Sequence, residues 1–365
     1  MSTNPLEGST LMSPQHDGYT FALSPDVTRT HVRFTNRYGI EIAADLYRAA
    51  DLDESVAHAA IVIGPPHGGV KEQGPGVYGN ELAQRGFVAV AFDPSYNGES
   101  SGEPRHITSP ELFAEDFSAA VDFLGTLPYV DRERIGAIGI CGSGGFALSA
   151  ASVDARIKAV ATSAMYDISG VHRDGWQHSS TDEDRTQTLD DLAQQRWADV
   201  DAGMPALLPT FPAEMPEEGP DPITREFFEY YVEERGRHPR SIGGFTITSG
   251  QSHISFGALR HVSDIAPRPI MLITGDEAHS RWFSDDVHAQ ATGPKELIVV
   301  PKLSSNVDSS TTQHVPNTKL GHGVTKEGGT SLVETEWLRK GGLLFLLCFV
   351  SHLVSLKDFG GSTDV

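Results

Sequence analysis

Residues 134–148, Arg-Ile-Gly-Ala-Ile-Gly-Ile-Cys-Gly-Ser-Gly-Gly-Phe-Ala-Leu, leave this chain few ways to fold. A short apolar run ends at Ile140, a cysteine follows, and after Gly-Ser-Gly-Gly comes an alanine-rich stretch suited to a helix. The order is strand, tight turn, helix, with the thiol of Cys141 at the apex. Gly139 and Ser143 are small because strand and helix leave no room for side chains two positions from such an apex. Other readings use the same residues. A shift by two puts Ser143 at the apex of Cys141-Gly142-Ser143-Gly144-Gly145. Gly142-x-Gly144-x-x-Ala147 fits a dinucleotide fingerprint, with Asp167 about 20 residues on, where that fingerprint wants an acid. A Gly-rich packing turn is the plainest reading.

The surrounding pattern supplies the context. Segments 31–35 and 40–47 alternate apolar and polar residues around Asn36-Arg37-Tyr38-Gly39 and predict an antiparallel hairpin at a sheet edge. The continuous apolar run at 59–63 reads as a strand covered on both faces, 87–92 as the next buried strand, and 135–140, 157–161, 269–274 and 295–300 as further strands. Helical stretches at 77–85, 110–127, 144–152 and 283–291 alternate with them. This rhythm predicts a mostly parallel sheet flanked by helices. Residues 29–167 and 265–301 form that core. Residues 168–264 break the rhythm and read as an inserted cap. Its Trp176, Trp197, Phe227, Phe228, Tyr230 and Tyr231 either line an apolar pocket or fill the cap's own small core. Residues 1–28 read as a flexible N-terminal arm and 302–365 as an atypical tail. Within that tail, 341–356 are nearly all apolar. The run is shorter than the about 20 residues a membrane span needs and contains Ser351 and His352, so a buried helix is expected over an anchor.

Composition removes several function classes. The formal net charge of -21 argues against nucleic acid and against an anionic membrane surface. Two cysteines, Cys141 and Cys348, in 365 residues make no disulfide framework and suit a reducing, cytoplasmic setting. Cys348 reads as a small buried hydrophobe. The N-terminus carries no secretory pattern. Nothing points to a metal or a cofactor, and oligomeric state is not readable.

Acyl transfer through a covalent intermediate needs a nucleophile, a base, a group orienting the base, and donors for the oxyanion. Cys141 supplies the nucleophile. The donors expected are the backbone N–H of Gly142 and that of Gly68 in His67-Gly68-Gly69, which follows the strand at 59–63. This loop also favours Cys141 over the other readings. A dinucleotide site gives it no role, and an apex at Ser143 would bury Cys141 in the strand end. Strand carboxyl ends are where ligands bind in open sheets of this kind. The orienting acid should follow the strand at 269–274, where Asp276 is chosen over Glu277, with Asp167 a third candidate. The base should be a histidine after the strand at 295–300. None occurs in 301–313, and His67, His279, His314 and His322 remain unassigned.

With these residues in place the chain resembles the dienelactone-hydrolase-like branch of the α/β-hydrolases, and within it the fungal polyketide transferase and thiohydrolase group. The likeness rests on Pro66 to Gln73, Phe92 to Ser100, Arg134 to Gly145 and Gly275 to Ser280. It covers about residues 30–301. It implies an α/β-hydrolase fold, and hydrolysis or transfer of an acyl group, with a polyketide thioester as one candidate substrate and Cys141 as nucleophile. Relatives continue the last strand as V-P-G-A-x-H, which puts the base at the position of Ser305. The departure begins after Pro301, and a shifted frame or retained intron is one reading of the tail. The alternative to an enzyme is a catalytically inactive scaffold that binds a small apolar ligand or a partner.

Overall fold

A computed structural model of the protein describes residues 18–209, 222–241 and 243–301. Eight strands form one sheet in the order β1-β2-β4-β3-β5-β6-β7-β8. They are β1 (Val27–Thr35), β2 (Glu41–Ala49), β3 (His58–Gly64), β4 (Val88–Phe92), β5 (Val130–Ile140), β6 (Ala159–Ser163), β7 (Ile270–Gly275) and β8 (Lys295–Val300). β1 and β2 form the predicted edge hairpin, and β2 runs antiparallel to β4. From β4 to β8 every pairing is parallel. The carboxyl ends of the central strands therefore share one edge, with Gly64 beside Gly139 and Ile140 beside Ser163.

The central strands β4, β6 and β7 are buried along their whole length because both faces are covered. Val88, Val90 and Phe92 of β4 enter a core with helices α2 (Pro110–Thr126), α3 (Ser143–Val153) and α8 (Arg281–Gln290). Ala89 and Ala91 face the other way, onto α1 (Gly74–Ala83). α2 shows how the local sequence fixes such a helix. The side chain of Ser109 accepts from the Leu112 amide, and Pro110 occupies the first turn. Phe113, Phe117, Ala120, Val121 and Leu124 recur at helical spacing and are buried. Leu127 turns extended ahead of Pro128, which ends the helix.

Residues 18–26 belong to the stretch expected as a flexible arm, yet they pack on this second face. Phe21 is buried and touches the position where Gly76 has no side chain. The Tyr19 hydroxyl donates to Asp45 Oδ2 over 2.7 Å. Among the described residues, four α-helices lie between β6 and β7, in the stretch read as a cap. Its helices are α4 (Ile168–Asp174), α5 (Asp182–Ala202), α6 (Pro222–Tyr231) and α7 (Gly250–Ser255). Its aromatic residues divide. Phe228, Tyr230 and Tyr231 are buried, while Trp197 is 68% exposed on α5. Phe227 and Trp176 pack around His279. No helix among the described residues is long and apolar enough to cross a membrane. His314, His322, Ser305, Cys348 and the apolar run 341–356 lie outside the described residues.

Candidate active site

Cys141 occupies the turn between β5 and α3 with φ +53°, a left-handed conformation that non-glycine residues rarely adopt. The neighbours explain how the chain tolerates it. A Cβ on Gly139 would stand 2.1 Å from the carbonyl oxygen of Ser143, and one on Gly144 2.5 Å from Met165 Cβ. The glycines let helix and strand close on each other and leave one side chain at the apex. Ser143 is the first residue of α3, is buried, and faces the Gly64 end of β3. Gly142 and Gly144 serve the packing of α3 against neighbouring loops, so the dinucleotide spacing is accounted for by close approach of backbone.

Two backbone amides reach the Cys141 sulfur, those of Gly142 and His67. The residue is partly accessible, but burial pushes its thiol up to about 11, against the lowering effect of those two donors. The helix terminus alone predicts a reactive, low-pKa thiolate; desolvation of the sulfur wins here.

Gly68, expected as the second donor, has φ +88° and lies under the cap. Its carbonyl accepts from Ser241 Oγ over 2.8 Å, and a Cβ there would stand 3.3 Å from Gly243 Cα. The amide at the sulfur is that of His67, one residue earlier. A Cβ on Gly142 would stand 2.7 Å from His67 Cβ, so the two donor residues are in direct contact. The His67 imidazole is engaged by Thr108 and Phe245. Its Nε2 pairs with Thr108 Oγ1 at 2.7 Å and its ring stacks on Phe245 with centroids 4.1 Å apart. Burial, then the nearby His172, pushes its pKa down to about 3. A ring held this far down is a weak base at neutral pH. Thr108 and Phe245 were not legible as neighbours of the turn, because they lie far from it in sequence and carry no motif.

Asp276 follows β7, is exposed, and its backbone amide donates to the Val300 carbonyl over 3.0 Å. It therefore stands where β7 and β8 emerge. Glu277 is exposed next to it. Asp167 is used otherwise: its side chain caps α4 by accepting from the Gly170 amide over 2.9 Å. His279 pairs through Nε2 with the Tyr166 hydroxyl. The backbone amide of Tyr166 in turn donates to the Cys141 carbonyl over 2.9 Å.

Behind the His67 loop lies a buried ionic cluster that sequence reading missed. Lys71 is fully buried, and its Nζ donates to Glu72, to Asp93 over 3.0 Å and to Glu99 over 2.7 Å. Arg240 of the cap pairs with Glu72 and lies 3.3 Å from Glu99. Among the described residues these three carboxylates are the one group close enough to hold a metal ion. The Lys71 ammonium already contacts all three and supplies the cation. The cluster ties the His67 loop both to the end of β4 and to the cap.

Comparison with known proteins agrees with this architecture. Residues 48–167 match the dienelactone hydrolase family. Protein PA2218 of Pseudomonas aeruginosa is 49% identical over 288 residues, which is 78% of this chain and 77% of that protein. Its crystal structure aligns over 85% of this chain and 96% of its own with a TM-score of 0.79 at 47% identity. Polyketide transferase claH of Penicillium crustosum is 33% identical over 129 residues, 35% of this chain and 42% of its own length. The α/β hydrolase GrgF from Penicillium sp. sh18 shares the fold, with a TM-score of 0.62 at 21% identity over 76% of this chain and 91% of its own. A cysteine-bearing turn at the carboxyl edge of this sheet, within a matched stretch that also holds the His67 loop, leads to one conclusion: the chain belongs to the dienelactone hydrolase family and is a hydrolase-type protein built on the α/β-hydrolase fold.

Proposed function

We propose that the protein cleaves or transfers acyl groups from ester or thioester substrates through Cys141. The observation that carries this reading is the convergence of the Gly142 and His67 amides on a sulfur held at the apex of a left-handed turn. The sulfur attacks the carbonyl carbon, and the developing oxyanion takes the two N–H donors. His67 replaces Gly68 in that role. The bond to the leaving oxygen or sulfur then breaks, leaving a thioester on Cys141. Water or a second nucleophile releases the acyl group. With the thiol pushed up to about 11, little thiolate exists at neutral pH, so a base must take the proton during attack and return it to the leaving group. Asp276 is the candidate to orient that base. A polyketide thioester as substrate, and a place in secondary metabolism, rest on the likeness to polyketide transferase claH.

Cys141→Ala tests the reading with a p-nitrophenyl ester and an acyl thioester as probes. Turnover is expected to fall at least about a thousandfold, and intact mass of the unaltered protein should show one acyl group on the Cys141 peptide. Unchanged turnover in Cys141→Ala refutes it. Ligand binding without any acylation of Cys141 selects the inactive scaffold instead.

A further inference from the structure

The ring of His67 is held by a continuous polar chain that runs from the core into the cap. Thr108 Oγ1 lies 2.7 Å from His67 Nε2 and 3.0 Å from His253 Nε2 on α7. His253 Nδ1 lies 3.2 Å from Ser169 Oγ on α4, and His172 stacks on the His253 ring at 4.9 Å. The Thr108 amide donates to Ser249 Oγ over 3.1 Å, which fixes Thr108 itself. Thr108 and His253 are buried, and His67 is mostly enclosed.

Proton counting fixes the chain further. One hydroxyl has one proton, so Thr108 donates to one imidazole and accepts an N–H from the other. The accepting ring must be neutral for that, and burial drives both rings there: His67 to about 3 and His253 to about 2. A buried network with every member satisfied is rigid, because any displacement leaves an unpaired group out of water.

We propose that Thr108 and His253, with Phe245 stacked on the ring between them and the turn, are positioning residues that aim the His67 backbone N–H at the Cys141 sulfur. The side chain and the amide of His67 belong to one residue, so clamping the ring on one side fixes the donor on the other. The clamp is built largely from the cap, since Phe245, Ser249 and His253 all lie in residues 168–264. The cap thus supports the oxyanion site through the His67 ring. This inference takes from the proposed function only that His67 N–H serves the sulfur and the oxyanion.

Thr108→Val keeps the shape and removes the hydroxyl; Thr108→Ser keeps the hydroxyl. Circular dichroism and thermal unfolding establish that each variant is folded. In folded Thr108→Val, kcat for a p-nitrophenyl ester is expected to fall about thirtyfold with KM within about twofold. Alkylation of Cys141 by iodoacetamide at about pH 8, followed on its own peptide by mass spectrometry, is expected to slow about threefold. Losing one amide donor raises the thiol by about one pH unit, and the greater nucleophilicity of the more basic thiolate offsets part of the loss. Thr108→Ser is expected to restore both. Should Thr108→Val fail to fold, Phe245→Leu carries the test, with slower alkylation in the same direction. Wild-type alkylation in a folded Thr108→Val or Phe245→Leu overturns the proposal, as does a Thr108→Ser variant that behaves like Thr108→Val. The alkylation reading needs no turnover, so it decides this inference even where Cys141→Ala retains activity and the proposed function fails.

Discussion

Gly142→Ala isolates the geometry of the oxyanion site from the stability of the fold. Gly142 has φ -57° and ψ -32°, an ordinary right-handed helical conformation that alanine adopts without strain. The cost is therefore steric. The new methyl carbon would stand 2.7 Å from His67 Cβ and 3.1 Å from Ile168 Cγ1. Carbon atoms pack at about 3.5–4.0 Å, so the His67 loop must retreat by about 1 Å. The loop is held from behind by the Thr108 hydrogen bond and the Phe245 ring, which makes the retreat cost about 1–3 kcal/mol of stability. A displacement of about 1 Å also takes the His67 N–H off the oxyanion, and losing one such donor costs about a hundredfold in kcat, roughly 2.7 kcal/mol. Single-turnover acylation with a p-nitrophenyl ester, with urea unfolding as the control, reads both effects. A Gly142→Ala enzyme that acylates within about twofold of the unaltered protein refutes the assignment of these two amides.

Other expectations follow from the same sites. Because the thiol is pushed up to about 11, the rate of Cys141 alkylation should climb with pH as thiolate forms, with no plateau below about pH 10; a plateau near pH 8 would show that the sulfur is better solvated than this structure has it. Lys71→Met removes the ammonium shared by Glu72, Asp93 and Glu99, leaving Arg240 beside Glu72 and Glu99, and should lower unfolding free energy in urea by about 3–5 kcal/mol. A loss under about 1 kcal/mol would mean that the carboxylates are not ionised together.

Much of the sheet was legible because most parallel strands contain a short apolar run, and the turn at Cys141 was legible because glycines mark where backbones meet. The start of β5 was not. Val130 to Arg134 reads Val-Asp-Arg-Glu-Arg, and pairing with β3 shifts register between His58 and Ala60, which breaks any apolar period. The packing of Tyr19 and Phe21 was missed because a polar composition surrounds two aromatic anchors. In the site, the identity of the donating amide escaped the sequence for a different reason. His67 and Gly68 are adjacent, and which one faces the sulfur depends on residues 241, 243 and 245 pressing from the cap. Contacts between positions more than 170 apart leave no trace in local pattern. The buried Lys71 likewise looked like a surface charge until Asp93 and Glu99 stood around it.

The crowding around the turn has a consequence for how such a site can change. At 139, 142 and 144 any added carbon collides with a neighbour, so a side chain there forces the surroundings to move. The apex carries the Cys141 side chain on a left-handed turn. Adaptation to a new substrate has to be written in the residues overhead, and the same residues hold the His67 ring, so a change in what is gripped also alters how firmly the charge of the reaction is caught.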